Sequence, residues 1–194
     1  MPFHLNMKKR QASGFTIVEL LIVIVVIAIL AAISVVAYNG IQTRARNAQT
    51  GAAGNAYLKG FALYLAANNS YPTVSTYHCL GQTSCRGGTW SNSSSLDAAL
   101  RTVMGNSLPT PSSTSVNDNS NGSVAMGYVP QSANVTLDGV ARHWLIYAVE
   151  GLVPCPAGKV ASGNWPSYTS ATPSNGYTNA NNGTAGCMVA LPNP

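Results

Sequence analysis

Apolar residues run almost unbroken from Phe15 to Tyr38, and between Gln11 and Thr43 the one charged side chain is Glu19. As a helix this run rises about 36 Å at roughly 1.5 Å per residue, enough to cross a hydrocarbon core of about 30 Å. A periodic pattern then takes over. Ala48, Ala52, Leu58, Ala62 and Leu65 recur at spacings compatible with one helical face, Tyr57, Phe61 and Tyr64 form an adjacent stripe, and no proline intervenes before Pro72. The pattern predicts one long helix from about Phe15 to about Ala67, with the aromatic stripe packing under a domain otherwise short of large apolar residues. Gly40, Gly51, Gly54 and Gly60 lie within it, each weakening a helix by up to about 1 kcal/mol relative to Ala.

Beyond Tyr71-Pro72 the signals shorten. Ser94 followed three residues later by Asp97 reads as a capping box for a second helix, Leu96 to Met104, closed by Gly105 and Asn106. Three strand-like runs follow: Val124 to Val129, Val135 to Leu137, and His143 to Val149. In the first, Val124, Met126 and Tyr128 alternate with the smaller Ala125 and Gly127, as in a sheet covered by a helix on one face. The last is apolar on both faces and is expected to be central. The predicted fold class is α+β: a long N-terminal helix whose first half spans the membrane, packed under a small antiparallel β-sheet head.

Composition changes the picture in two ways. Only 8% of residues are charged against 46% hydrophobic, well below the roughly 25% charged fraction of an average soluble domain. Surface polarity therefore falls to Ser, Thr, Asn and Gly, concentrated around Ser112 to Ser123 and Ser174 to Thr184. The formal charge of +5 invites a nucleic-acid reading, but the basic residues form no stripe that would track a phosphate backbone.

The amino terminus is unlike a conventional secretion signal, whose apolar stretch of about 7–15 residues precedes a small-residue cleavage site. Here the run is longer, and the small residue, Gly14, stands in front of it, just after Lys8-Lys9-Arg10. The basic cluster marks the cytoplasmic end, so the segment after Tyr38 lies outside. A carboxylate such as Glu19 inside a membrane helix costs about 2.5–3.5 kcal/mol on insertion scales and requires compensation.

The segment from Lys8 to Ile24, KKRQASGFTIVELLIVI, closely resembles the prepilin leader and transmembrane motif of type IV pilins and type II secretion pseudopilins. The resemblance covers about the first third of the chain. It implies a leader, residues 1–14, removed between Gly14 and Phe15 by a membrane aspartic peptidase, and N-methylation of the new Phe15 amine. It further implies a transmembrane and filament-core helix over 15–38 and an exported pilin-like head over 39–194. Glu19 would pair with the Phe15 amine of a neighbouring subunit, a buried ion pair that fixes axial register. Losing Lys8, Lys9 and Arg10 removes three positive charges and lowers the formal net charge from +5 to +2. The expected partners are other copies of the chain in a helical homopolymer, the membrane before assembly, the prepilin peptidase and the assembly platform, with a host surface or DNA as possible targets. The expected location is the inner membrane as precursor, then a fibre at the cell surface serving adhesion, motility or DNA uptake. The alternative is a pseudopilin of a secretion piston.

Cys79, Cys85, Cys155 and Cys187 fall on the exported side, where disulfides are permitted, and allow three pairings. The expected one joins Cys79 to Cys85 in a tight loop and Cys155 to Cys187, tying the Gly/Ser/Asn-rich tail to the last long strand. That second loop resembles the disulfide-bounded variable region of many pilins. Zinc held by His78, Cys79 and Cys85 competes weakly, because the spacing does not match the usual clusters. Asp118 to Asn121 offers a single carboxylate, too few for a tight calcium loop. With the acidic residues isolated and no nucleophile elbow or phosphate loop, an enzyme, a cofactor and a small-molecule substrate are not expected.

Overall fold

The computed structural model describes residues 14–81, 90–92, 94–112, 116–118, 122–131, 141–151, 159–162, 170–172, 177–179 and 184–194. The expected strand Val135 to Leu137 lies outside them. The chain divides into two compact units, Met1–Ile41 and Gln42–Pro194, and one helix, α1 (Ile17–Asn68), contributes to both.

In the first unit the helix is long and apolar enough to cross a membrane, and none of its apolar stretch is buried. Its large hydrophobic side chains are exposed by 46% at Val25 up to 84% at Ile17. Ser34 donates its hydroxyl to the carbonyl of Leu30 at 2.7 Å. A polar group inside the apolar run is thereby satisfied without leaving the helix.

The second unit is built on the carboxy-terminal half of α1. Thr50, Ala53, Gly54, Tyr57, Gly60 and Phe61 are its buried residues, a set spaced as one helical face. The face expected from Ala48, Ala52 and Ala62 is displaced, for those three are exposed while Leu58 and Leu65 pack partly against the core. The cause is volume: Tyr57 and Phe61, fully buried, are the large side chains that gain most from leaving water. The glycines on this face permit close approach. A Cβ at Gly54 would touch the Tyr147 ring at 3.5 Å, and one at Gly60 would overlap the side chain of Met104.

Against this face lies a mixed sheet. Its strands are β1 (Tyr77–Cys79), β2 (Trp90–Ser91), β5 (Met126–Val129), β6 (Trp144–Glu150), β7 (Lys159–Ser162), β8 (Ser170–Thr172), β9 (Tyr177–Asn179) and β10 (Thr184–Ala190). The order is β2-β1-β5-β6-β10-β7-β8, with β9 also pairing β10. A separate hairpin joins β3 (Val116–Asp118) to β4 (Gly122–Val124). The α+β class is that expected from sequence; the sheet differs in being mixed, because β1 and β2 pair in parallel. Helix α2 (Ser94–Met104) buries Leu96 and Leu100.

Met126, Tyr128, Leu145, Tyr147 and Val149 face the helix in one cluster with Tyr57 and Phe61. The other face of β5 is covered as well: Trp90 lies over Gly127, where a Cβ would overlap its ring. Strand β6, apolar from Trp144 to Val149, sits between β5 and β10. Past the Gly/Ser/Asn-rich stretch the chain supplies β10, a strand the apolar pattern did not announce, which pairs with β6 over seven residues from Thr184–Glu150 to Ala190–Trp144.

Polar contacts fix the helix to the sheet's end. Arg46 makes two bonds of 2.6 Å to the Glu150 carboxylate. Beside it Asn47 donates to the Glu150 carbonyl at 2.9 Å and accepts from the Glu150 amide at 2.7 Å. Strand β5 ends before this point, so a helical amide completes the pairing that a neighbouring strand would give.

Candidate functional site

The first site is the amino-terminal junction. Gly14, Phe15 and Thr16 precede the helix. The Thr16 carbonyl accepts from the Leu20 amide, the first helical bond. The Thr16 hydroxyl accepts the Glu19 amide at 3.2 Å, while the Thr16 amide and hydroxyl each donate to Glu19 Oε2 at 2.8 Å. This is a complete capping box, with Thr16 as the cap and Glu19 three residues on. Sequence reasoning missed the role of Thr16, although Thr-x-x-Glu has the same spacing that located α2. Both side-chain bonds fall on Oε2, leaving Oε1 directed to no group among the described residues. The box uses only atoms of residues 16 and 19, so it closes whether or not anything precedes Phe15.

Among the described residues a Cβ at Gly14 would meet nothing within 4 Å, so their packing places no demand for glycine there. Phe15 is 83% exposed.

The second site comprises the cysteines. Cys79 and Cys187 are both disulfide-bonded, which removes the thiolate that zinc would need at Cys79; Cys85 and Cys155 lie outside the described residues. Register excludes one of the three pairings. Cys79 faces Gly127, Gly127 faces Ile146, and Ile146 faces Met188, the neighbour of Cys187. Three strand spacings of about 4.8 Å separate β1 from β10 by about 14 Å, twice the Cα separation of about 7 Å that a disulfide tolerates. Cys79 and Cys187 are thus not bonded to each other.

The histidines are built into the packing. His78, buried, has Nδ1 3.0 Å from the Ser91 hydroxyl. His143 has Nδ1 2.6 Å from the Tyr128 hydroxyl. Burial holds both imidazoles below their usual pKa. Asp97 and Arg101 line a surface cavity of about 470 Å³ with Asn92, Ser94 and Ser107. Burial raises the Asp97 carboxyl above its usual value. No group of three or more His, Cys, Asp or Glu side chains fit to hold a metal occurs among the described residues.

The described fold is that of a pilin-like α+β subunit: a long N-terminal apolar helix with a sheet over its later half. Residues 9–35 match the family described as the prokaryotic N-terminal methylation motif. The chain thus carries the signal motif of type IV pilins and pseudopilins, which implies a membrane-anchored precursor, processing by prepilin peptidase and assembly into a pilus-like polymer. No curated protein and no solved structure matches the chain.

Proposed function

We propose that the chain is the structural subunit of a type IV pilus-like fibre, cut after Gly14, methylated on the Phe15 amine and polymerised through residues 15–38, with the head, 39–194, outside the membrane. The observation that carries this reading is the methylation motif over 9–35 joined to an apolar helical stretch that no described residue buries. Lipid serves that stretch before assembly and other copies serve it afterwards. Glu19 fits the assembly role, since its helix cap holds one carboxylate oxygen and leaves the other for the ammonium of an incoming Phe15. The glycine requirement at residue 14, which no contact among the described residues imposes, belongs in this reading to the peptidase that binds the junction. The low charged fraction favours a surface fibre over a secretion pseudopilin, with a host surface or DNA as what the fibre touches.

The disulfides of the proposed head are Cys79–Cys85 and Cys155–Cys187. The remaining alternative joins Cys79 to Cys155. Lys159 opens β7 and faces Met188, four strands and about 19 Å from Cys79. From Cys155 to Lys159 the chain spans at most about 14 Å, so this alternative demands a fully drawn-out segment.

Intact-mass measurement and amino-terminal sequencing of membrane-extracted protein test the processing step. The expected result is an N-methylated Phe15 terminus; a terminus elsewhere defeats the reading. Gly14 replaced by a bulky residue should leave uncut precursor in the membrane.

A further inference from the structure

Four separate segments meet at His143. Its ring stacks on Tyr128 of β5 with centroids 5.7 Å apart and lies against Tyr71, from the segment after α1, at 4.4 Å. Tyr71 and Tyr128 in turn pack on Phe61 of the helix. The carboxy-terminal tail is held at the same place: the Leu191 amide donates to the His143 carbonyl at 2.9 Å, and the Tyr71 hydroxyl donates to the Pro192 carbonyl at 2.7 Å.

The protonation state of this ring follows from its partners. The backbone amide of Gln131 donates to His143 Nδ1 at 3.2 Å. A backbone N–H only donates, so Nδ1 is the bare nitrogen, and the Tyr128 hydroxyl, 2.6 Å away, also donates to it. The neutral ring therefore carries its proton on Nε2.

We propose that His143 is an acid-labile clasp: protonation of Nδ1 opposes the Gln131 amide, forces the Tyr128 hydroxyl to reverse, and loosens residues 129–131 together with the tail from Leu191 onward. An Nδ1–H and the Gln131 N–H point at each other, and a backbone donor cannot turn into an acceptor. The tyrosine can reverse, but its own proton then loses its acceptor in a buried place. The titratable groups facing the ring are the Tyr71 and Tyr128 phenols. Burial raises both, Tyr71 to about 12, so they stay neutral throughout the acid range. Arg142, adjacent in the chain, is a cation and gives no support to a second positive charge. No carboxylate bonds His143 among the described residues. The ring faces of Tyr71 and Tyr128 attract a cation, yet they do not relieve the N–H opposition at Nδ1. Burial also disfavours the charged ring, which places the opening below the ordinary histidine range.

The full mature chain in detergent micelles tests this by hydrogen exchange, corrected for intrinsic rates, at pH values from 7.5 down to about 4.5. Peptides covering Met126–Gln131 and Met188–Pro194 should exchange at least about tenfold faster at the acid end, in a single step, while peptides from α2 do not change. His143→Asn places an acceptor oxygen near the position of Nδ1 and cannot take a proton, so its exchange should lack the step. A step that persists in His143→Asn, or is absent from the wild type, overturns the clasp. Nitrogen-15 spectra of the histidines provide a check that needs no variant. The Nε2–H tautomer is expected for His143 at pH 7.5, and the Nδ1–H tautomer refutes the mechanism.

Discussion

Between Ile17 and Ile41 every large apolar side chain of α1 is exposed, whereas between Thr50 and Phe61 the same helix buries six residues on one face. The first stretch is apolar all round and so has no face to offer. Its surroundings must be apolar in every direction, as lipid or neighbouring helices are. The second is poorer in large hydrophobics, yet it is the part that folds with the rest of the chain, because two aromatic residues and two glycines lie on one line. Total hydrophobicity thus marks where a helix needs company from outside the chain. Arrangement marks where it finds company inside.

That contrast can be broken most decisively at Glu19. In Glu19→Ala the head should keep its fold and the protein should accumulate cleaved in the membrane, while sheared fibre falls at least about tenfold, because the proposed register ion pair with Phe15 cannot form. Quantifying sheared fibre against the membrane pool measures this. Normal fibre yield would show that apolar packing alone sets the register.

Phe61→Ala should do the converse, destabilising the head by about 3–5 kcal/mol through the cavity it leaves between Tyr71 and Tyr128. Thermal unfolding followed by the near-ultraviolet signal of the head reports it, at about 2–4 °C per kcal/mol.

A matched pair of glycine substitutions sharpens the comparison. Gly60→Leu must displace Met104 and should cost about 1–3 kcal/mol of head stability. At Gly40 an added Cβ would meet nothing within 4 Å among the described residues, so for Gly40→Leu the same thermal melt should stay within about 1 kcal/mol of wild type. Equal effects would erase the distinction between the two halves. Asn47→Ala, which strips both side-chain bonds from the Glu150 backbone, should cost about 1–2 kcal/mol in the same assay.

The smallest effect is that of acid. Burial keeps His78 and His143 neutral in the folded head at pH values where the unfolded chain, titrating near 6.5, has already taken up protons. The unfolded state then binds more protons, so stability falls as pH drops below about 6.5 and levels off once the folded histidines protonate. Denaturant midpoints at pH 7.5 and 5.5 should show the loss, and no change is expected between pH 7 and 8 from these groups.

The helices were legible in the sequence because their signals are local: an apolar run, an aromatic stripe and a Ser-x-x-Asp start fixed α1 and α2 to within a few residues. The core face of α1 was misplaced toward Ala48, Ala52 and Ala62, since spacing alone cannot tell a small exposed residue from a small buried one. Strands β5 and β6 were visible as apolar runs. Strand β10 was not, for Ala185-Gly186 interrupts it with residues of low strand preference that take their conformation from β6. The parallel β1–β2 pair was equally hidden, because Tyr77 and Trp90 are brought together by tertiary contact, their rings 5.3 Å apart. At the amino-terminal junction the motif singled out Gly14, Phe15 and Glu19, while the cap that holds Glu19 became evident only from atomic positions.

The placement of β10 also bears on timing. The strand that joins β6 to β7 follows every other strand of the sheet in chain order, and Tyr71, just past the long helix, bonds to Pro192 beyond it. Until β10 arrives, β6, β7 and β9 have no common neighbour and the sheet stands in three pieces. A head moved across a membrane during synthesis would remain open, and so threadable, until β10 had followed the other strands through. It would close in one late step on the far side.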